Sequence, residues 1–73
     1  MSASCELYGV KITHTGPGPY VARSASDRDP EWPLWIVVDQ VGFNGIAVEG
    51  RMTKLFNRAL AMEIADKLNG ASS

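Results

Sequence analysis

Five apolar residues in unbroken succession, Leu34-Trp35-Ile36-Val37-Val38, constrain this chain more than any other stretch. Pro33 closes the run in front and Asp39 behind. A β-branched and aromatic run of this length fits a strand wetted on neither face, where an alternating run would have a solvent side. Whatever else the chain builds must cover two sides of that strand.

The material for doing so is limited. Seventy-three residues make a single domain, 1–73, and a domain of this size buries only about 60% of the surface its unfolded chain exposes. Small domains often add disulfides, a metal or a second subunit. With one cysteine, Cys5, and one histidine, His14, the chain forms no internal disulfide and no tetrahedral zinc site of its own. Self-association or partner binding is the expected source of extra burial, and no metal or cofactor is expected. Seven basic against eight acidic residues, net charge −1, give no basic stripe for nucleic acid. No apolar run approaches the roughly eighteen residues of a membrane span. The start lacks the pattern of a secretory signal, and an unpaired cysteine fits a reducing compartment, so a cytoplasmic location is expected.

The remaining elements follow from pattern. Residues 1–4 and 70–73 read as frayed tails. Glu6 to His14 alternates, with Tyr8, Val10 and Ile12 on one face, as a half-buried strand. Thr15-Gly16-Pro17-Gly18-Pro19 is a turn, and Tyr20 to Arg23 returns as a partner strand, giving a first hairpin. Ser24 to Pro33 (24–33) is a polar loop. Asn44-Gly45 between apolar residues is a type I′ signal, predicting a second hairpin of Leu34–Asp39 with Val41–Val48. A simple register would place Trp35, Val37, Val41, Phe43, Ile46 and Val48 on one face with Asp39 awkwardly among them. A bulge near Asp39-Gln40, the favoured alternative, turns Leu34, Ile36 and Val38 inward.

Leu60, Ala61, Ile64, Ala65 and Leu68 form the stripe of an amphipathic helix. Asn57 and Thr53 compete as its N-cap, Phe56 is a staple opposite Ala61 if Asn57 wins, and Asn69-Gly70 is the expected stop. The fold class is therefore α+β: a four-stranded antiparallel sheet of two hairpins with one C-terminal helix packed on one face. A single helix covers one face, and an apolar patch left on a small monomer marks an interaction site.

Catalytic chemistry finds little support. His14 lies beside a Gly/Pro turn with no nucleophile or orienting carboxylate placed by spacing. Cys5 has no neighbouring cation to lower its pKa. Asp27, Asp29 and Glu31 alternate as calcium ligands can, but without the glycine and distant glutamate of an EF-hand loop. Gly16-Pro-Gly-Pro is no phosphate cradle. Trp32 and Trp35 are anchors of the type enriched at binding hot spots. Their use for stacking nucleic-acid bases would require more than the interleaved Arg23, Arg28 and Arg51.

Trp35-Ile-Val-Val-Asp39, a Gly-rich turn, then Phe56-Asn-Arg-Ala59 and Ile64-Ala-Asp-Lys-Leu-Asn69 resemble a pattern in small orphan proteins of phages and prophages. There a strand pair leads into a short helix, over what corresponds to the second half of this chain; the first half departs from it through the Ser24–Pro33 loop. The resemblance implies a non-enzymatic accessory protein that binds and inhibits a host protein, for example a defence-system component, as anti-CRISPR proteins do. The expected contacts are Trp32, Trp35 and Val37, with Asp27, Asp29 and Glu31 steering a partner. A structural homodimer or a nucleic-acid-associated accessory are the alternatives.

Overall fold

The computed structural model describes residues 3–26, 28–52 and 55–71. In chain order the elements are β1 (Ala3–Leu7), β2 (Val10–His14), β3 (Val21–Ser24), β4 (Trp35–Val38), β5 (Ile46–Val48), β6 (Arg51–Met52) and α1 (Arg58–Ala71). The class is α+β, with a four-stranded antiparallel sheet in the order β1-β2-β5-β6, a separate β3-β4 pair and one C-terminal helix.

The first departure from the pattern is at Tyr8-Gly9. The alternation from Glu6 to His14 is not one strand; the chain reverses there, with both residues at positive φ, 53° and 78°. Such a two-residue loop matches the twist of the strands it joins and keeps the alternation in register across the turn. Leu7 therefore faces Val10 and Cys5 faces Ile12. Val10 and Ile12 keep their common face, while Tyr8 moves to the tip and is 77% exposed. Ala3 and Ser4, read as tail, belong to β1, which pairs Ala3 with His14.

With β1 on one side of β2 and β5 on the other, no edge of β2 remains for the Tyr20–Arg23 strand. β3 pairs β4 instead, Val21 opposite Val38 and Ser24 opposite Trp35. The expected Asn44-Gly45 hairpin is also absent. β4 ends at Val38, and Asp39 Oδ1 accepts the N–H groups of Val41 (3.0 Å) and Phe43 (2.9 Å). An aspartate that satisfies main-chain donors ahead of it competes with the sheet ladder and turns the chain. Gly45 then lies buried where a Cβ would overlap Phe43 and Thr15. The second tight hairpin falls at Glu49-Gly50, φ 51° and 86°, between β5 and β6.

The bulged register is corrected as well. Trp35 and Val37 join the main core, and Leu34, Ile36 and Val38 lie on the opposite side of the strand. Val38 is nevertheless buried, so β4 is sealed on both faces at its C-terminal end and only partly covered at its start.

α1 begins as the sequence indicates. Asn57 Oδ1 accepts the Leu60 N–H at 2.7 Å, the N-cap bond, and the staple pair Phe56 and Ala61 are both buried; the competing cap, Thr53, is outside the described residues. The helix passes Asn69-Gly70 and ends at Ala71, beyond the expected stop. Its buried stripe, Ala61, Ile64, Ala65 and Leu68, lies against β1, β3 and β4, so one helix closes both sheets. Each fully buried Ile or Leu contributes roughly 1.5–3 kcal/mol. Asn69 also grips the main chain ahead of β3, accepting the Tyr20 N–H (2.7 Å) and donating to its carbonyl (2.8 Å).

Two glycines test this packing in opposite senses. A Cβ on Gly16 would overlap the Asp39 carboxylate and meet His14 Cε1 at 3.0 Å. Gly16→Ala should cost about 1–3 kcal/mol, a fall of roughly 4–8 °C per kcal/mol in a thermal melt. Gly70, helical and with nothing within 4 Å of its Cβ position, should tolerate Gly70→Ala with a gain of up to about 0.8 kcal/mol.

Candidate functional site

Two regions hold the residues that could do chemistry or recognition: a buried polar cluster where the sheets meet, and the surface at the open end of β3-β4.

The cluster centres on His14, which is 0% exposed. The Gly16 N–H donates to its Nδ1 at 2.9 Å, so Nδ1 carries a lone pair and the ring proton sits on Nε2. The main chain of Val37 and Phe43 lies beside the ring, and the Gly45 N–H approaches Nε2 at 3.4 Å. Tyr20 packs its ring 4.7 Å from the imidazole and donates its hydroxyl to the Gly16 carbonyl at 2.6 Å. Asp39, also buried, holds the following turn. Burial pushes the His14 pKa below its ordinary 6.5, against the smaller opposing pull of the carbonyls and of Asp39.

This arrangement positions a neutral imidazole as a structural acceptor rather than offering it to a substrate. Cys5 lies on the same sheet face as His14 but opposite Ile12, and burial raises its pKa, with Lys67 only partly offsetting that. A protonated thiol and an enclosed imidazole do not make an activated nucleophile. Among the described residues no three His, Cys, Asp or Glu side chains stand close enough to hold a metal ion.

The expected binding residues divide. Trp32 is 44% exposed and Leu34 beside it 40%. Trp35 is half-buried; its indole N–H donates to the Trp32 carbonyl at 3.0 Å, and the Arg58 guanidinium lies 5.4 Å above its ring. Val37 is 0% exposed and belongs to the core, because its side of β4 faces the helix; it is corrected from surface contact to packing residue. Asp29 and Glu31 are exposed, and Asp27 is outside the described residues. Asp29 organises its loop: its Oδ1 accepts the Glu31 N–H (2.9 Å), and its carbonyl accepts the Ser24 hydroxyl (2.7 Å) and the Trp32 N–H (3.2 Å). The sequence reasoning missed Leu55, which is 52% exposed. Phe56 pairs with Trp35 across the free side of β4, so Leu55 falls opposite Ile36. An apolar Leu-Phe pair just ahead of an N-cap was the available signal.

His14 is the chain's only histidine, so its ring resonances report one group. An NMR titration should give a midpoint below 6.5. In the unfolded chain the ring protonates near its ordinary value, so the unfolded state binds more protons between 6.5 and the lower folded pKa. Stability measured by urea unfolding should be full above pH 6.5 and fall as pH drops through that window. Comparison with known proteins adds no relative: no family model, no curated protein and no solved structure matches the chain.

Proposed function

We propose that the protein is a non-enzymatic binding module that docks on another protein through the outer side of β3-β4 and the loop that joins these strands. The observation that carries this reading is the incomplete cover on that side. Val21, Leu34 and Leu55 are exposed large apolar residues, and Ile36 between them is half-buried. The pairing of Val21 with Val38, Arg23 with Ile36 and Trp35 with Phe56 sets these positions side by side. Trp32, two residues before Leu34 in the chain, is exposed, as are Asp29 and Glu31 of the same loop. An apolar centre with an aromatic anchor and a charged rim has the composition of a protein-recognition surface.

The resemblance to small phage and prophage proteins makes the partner a host protein whose activity the contact inhibits. Two further features support binding over catalysis. The imidazole is enclosed and used as a main-chain acceptor, and the Cys5 thiol is held protonated. Among the described residues no helix is long and apolar enough to cross a membrane.

Affinity capture from the host lysate, run in parallel with wild-type protein and the Trp32→Ala and Leu55→Ser variants, tests the reading. A specific partner should bind wild type, and each variant should weaken it about tenfold or more while leaving the melting temperature near that of wild type. Light scattering on the isolated protein separates the alternative: a dimer broken by the same two substitutions would assign this face to a second copy.

A further inference from the structure

We propose that His14 is an acid-operated latch: protonation of its ring releases the Gly16–Tyr20 segment and loosens the end of β3-β4 where Val21 lies opposite Val38. The β1-β2 hairpin and the helix stay folded as it opens. The latch rests on the geometry of the buried cluster alone. Its consequence, weaker docking in acid, rests on the reading of the outer β3-β4 side given above.

The hydrogen bonds make the ring a switch. The Gly16 N–H depends on the lone pair of Nδ1, 2.9 Å away. A proton added there makes both ring nitrogens donors and sets two N–H groups against each other. The carboxylate whose charge acts on the ring is that of Asp39. Turning Nδ1–H towards it gives up the same bond, so Gly16 moves in either case. The Gly16 carbonyl accepts the Tyr20 hydroxyl at 2.6 Å, and Tyr20 directly precedes β3. The disturbance therefore passes into the first rung of the small sheet.

Among the described residues no charged group besides Asp39 faces the ring. Ala3 of β1 and Ile46 of β5 stand opposite His14, and the buried stripe of α1 is apolar. Cys5, further along the same sheet face, keeps its thiol proton because burial raises its pKa, and burial likewise holds the Tyr20 phenol neutral. Burial also keeps the imidazole itself neutral at ordinary pH, against the smaller pull of the neighbouring main chain and of Asp39. The opening stays local because β3 and β4 pack on each other and on α1, and make few contacts with the strands of the larger sheet. Elements so held open at lower cost than the molecule as a whole.

Amide hydrogen exchange on the isolated full chain tests the latch, read by NMR between about pH 7.5 and about pH 4.5 and corrected for intrinsic rates. The His14 ring midpoint is recorded in the same samples. Protection of the Gly16 and Val21 amides should fall about tenfold or more as the ring protonates, while the amides of Ile64 and Leu68 and those of β1-β2 keep theirs. His14→Gln offers the Gly16 N–H an acceptor that does not titrate, and should hold both amides protected throughout. If that variant does not fold, the wild-type comparison decides. Gly16 and Val21 staying protected below the ring midpoint, loss of protection in the helix and both sheets together, or an unchanged acid step in folded His14→Gln would overturn the proposal. No partner takes part in these measurements, so their failure leaves the docking reading standing, and a failed affinity capture leaves the latch standing.

Discussion

The bond from the Gly16 N–H to Nδ1 of a neutral, enclosed His14 is the contact on which the two sheets depend. His14 ends β2 and faces Ile46 of β5, yet its ring also meets the main chain at the end of β4. One ring therefore touches the four-stranded sheet, the Gly16–Pro19 turn and the exit from the two-stranded sheet. A buried polar group without partners costs more than a satisfied one contributes. The cluster consequently admits one arrangement: Gly16 without a side chain, Tyr20 on its carbonyl, Asp39 turning the chain beyond β4. Buried polar networks of this kind specify a unique packing more than they add stability.

Around that joint the apolar core is shared. Ile64 and Leu68 of the helix, Val37 of the small sheet and Ile46 of the large one are all fully buried in one cluster. The helix lies against strands of both sheets, so neither sheet has a lid of its own. Division of a short chain into two small sheets is workable only because a single amphipathic stripe serves both.

Helix, cap and staple were legible because they rest on local rules: a 3.6-residue period and the reach of one Asn side chain. The strand character of β3 and β4 was also readable, since β-branched runs are local, but β1 and β2 read as one strand and β6 was not expected. Strand pairing was not legible. Tyr8-Gly9 carries an aromatic where the favoured turn chemistry is small and polar, so the reversal was hidden in an apparently continuous alternation. Asn44-Gly45 has the favoured chemistry and is not a hairpin, because Asp39 five residues earlier takes the main-chain donors that a β4-β5 ladder would need. The awkward placement of Asp39 on an apolar face was the one visible sign of this. At the candidate surface, Trp32 was legible as an exposed anchor. Val37 was not legible as core, nor Leu55 as surface, because both depend on the pairing of Trp35 with Phe56, some twenty residues apart in the chain.

The grip of Asn69 on Tyr20 bears on solubility. A primary amide presents a donor and an acceptor at the spacing of a peptide group, so this side chain imitates one residue of an adjoining strand. By occupying the main chain where β3 begins, it withholds the first rung from any foreign strand arriving at that margin, much as a charged or proline-bearing edge does in larger sheets. A two-stranded sheet with apolar side chains on its outer surface would otherwise invite stacking into fibrils, and the last turn of the helix guards against it.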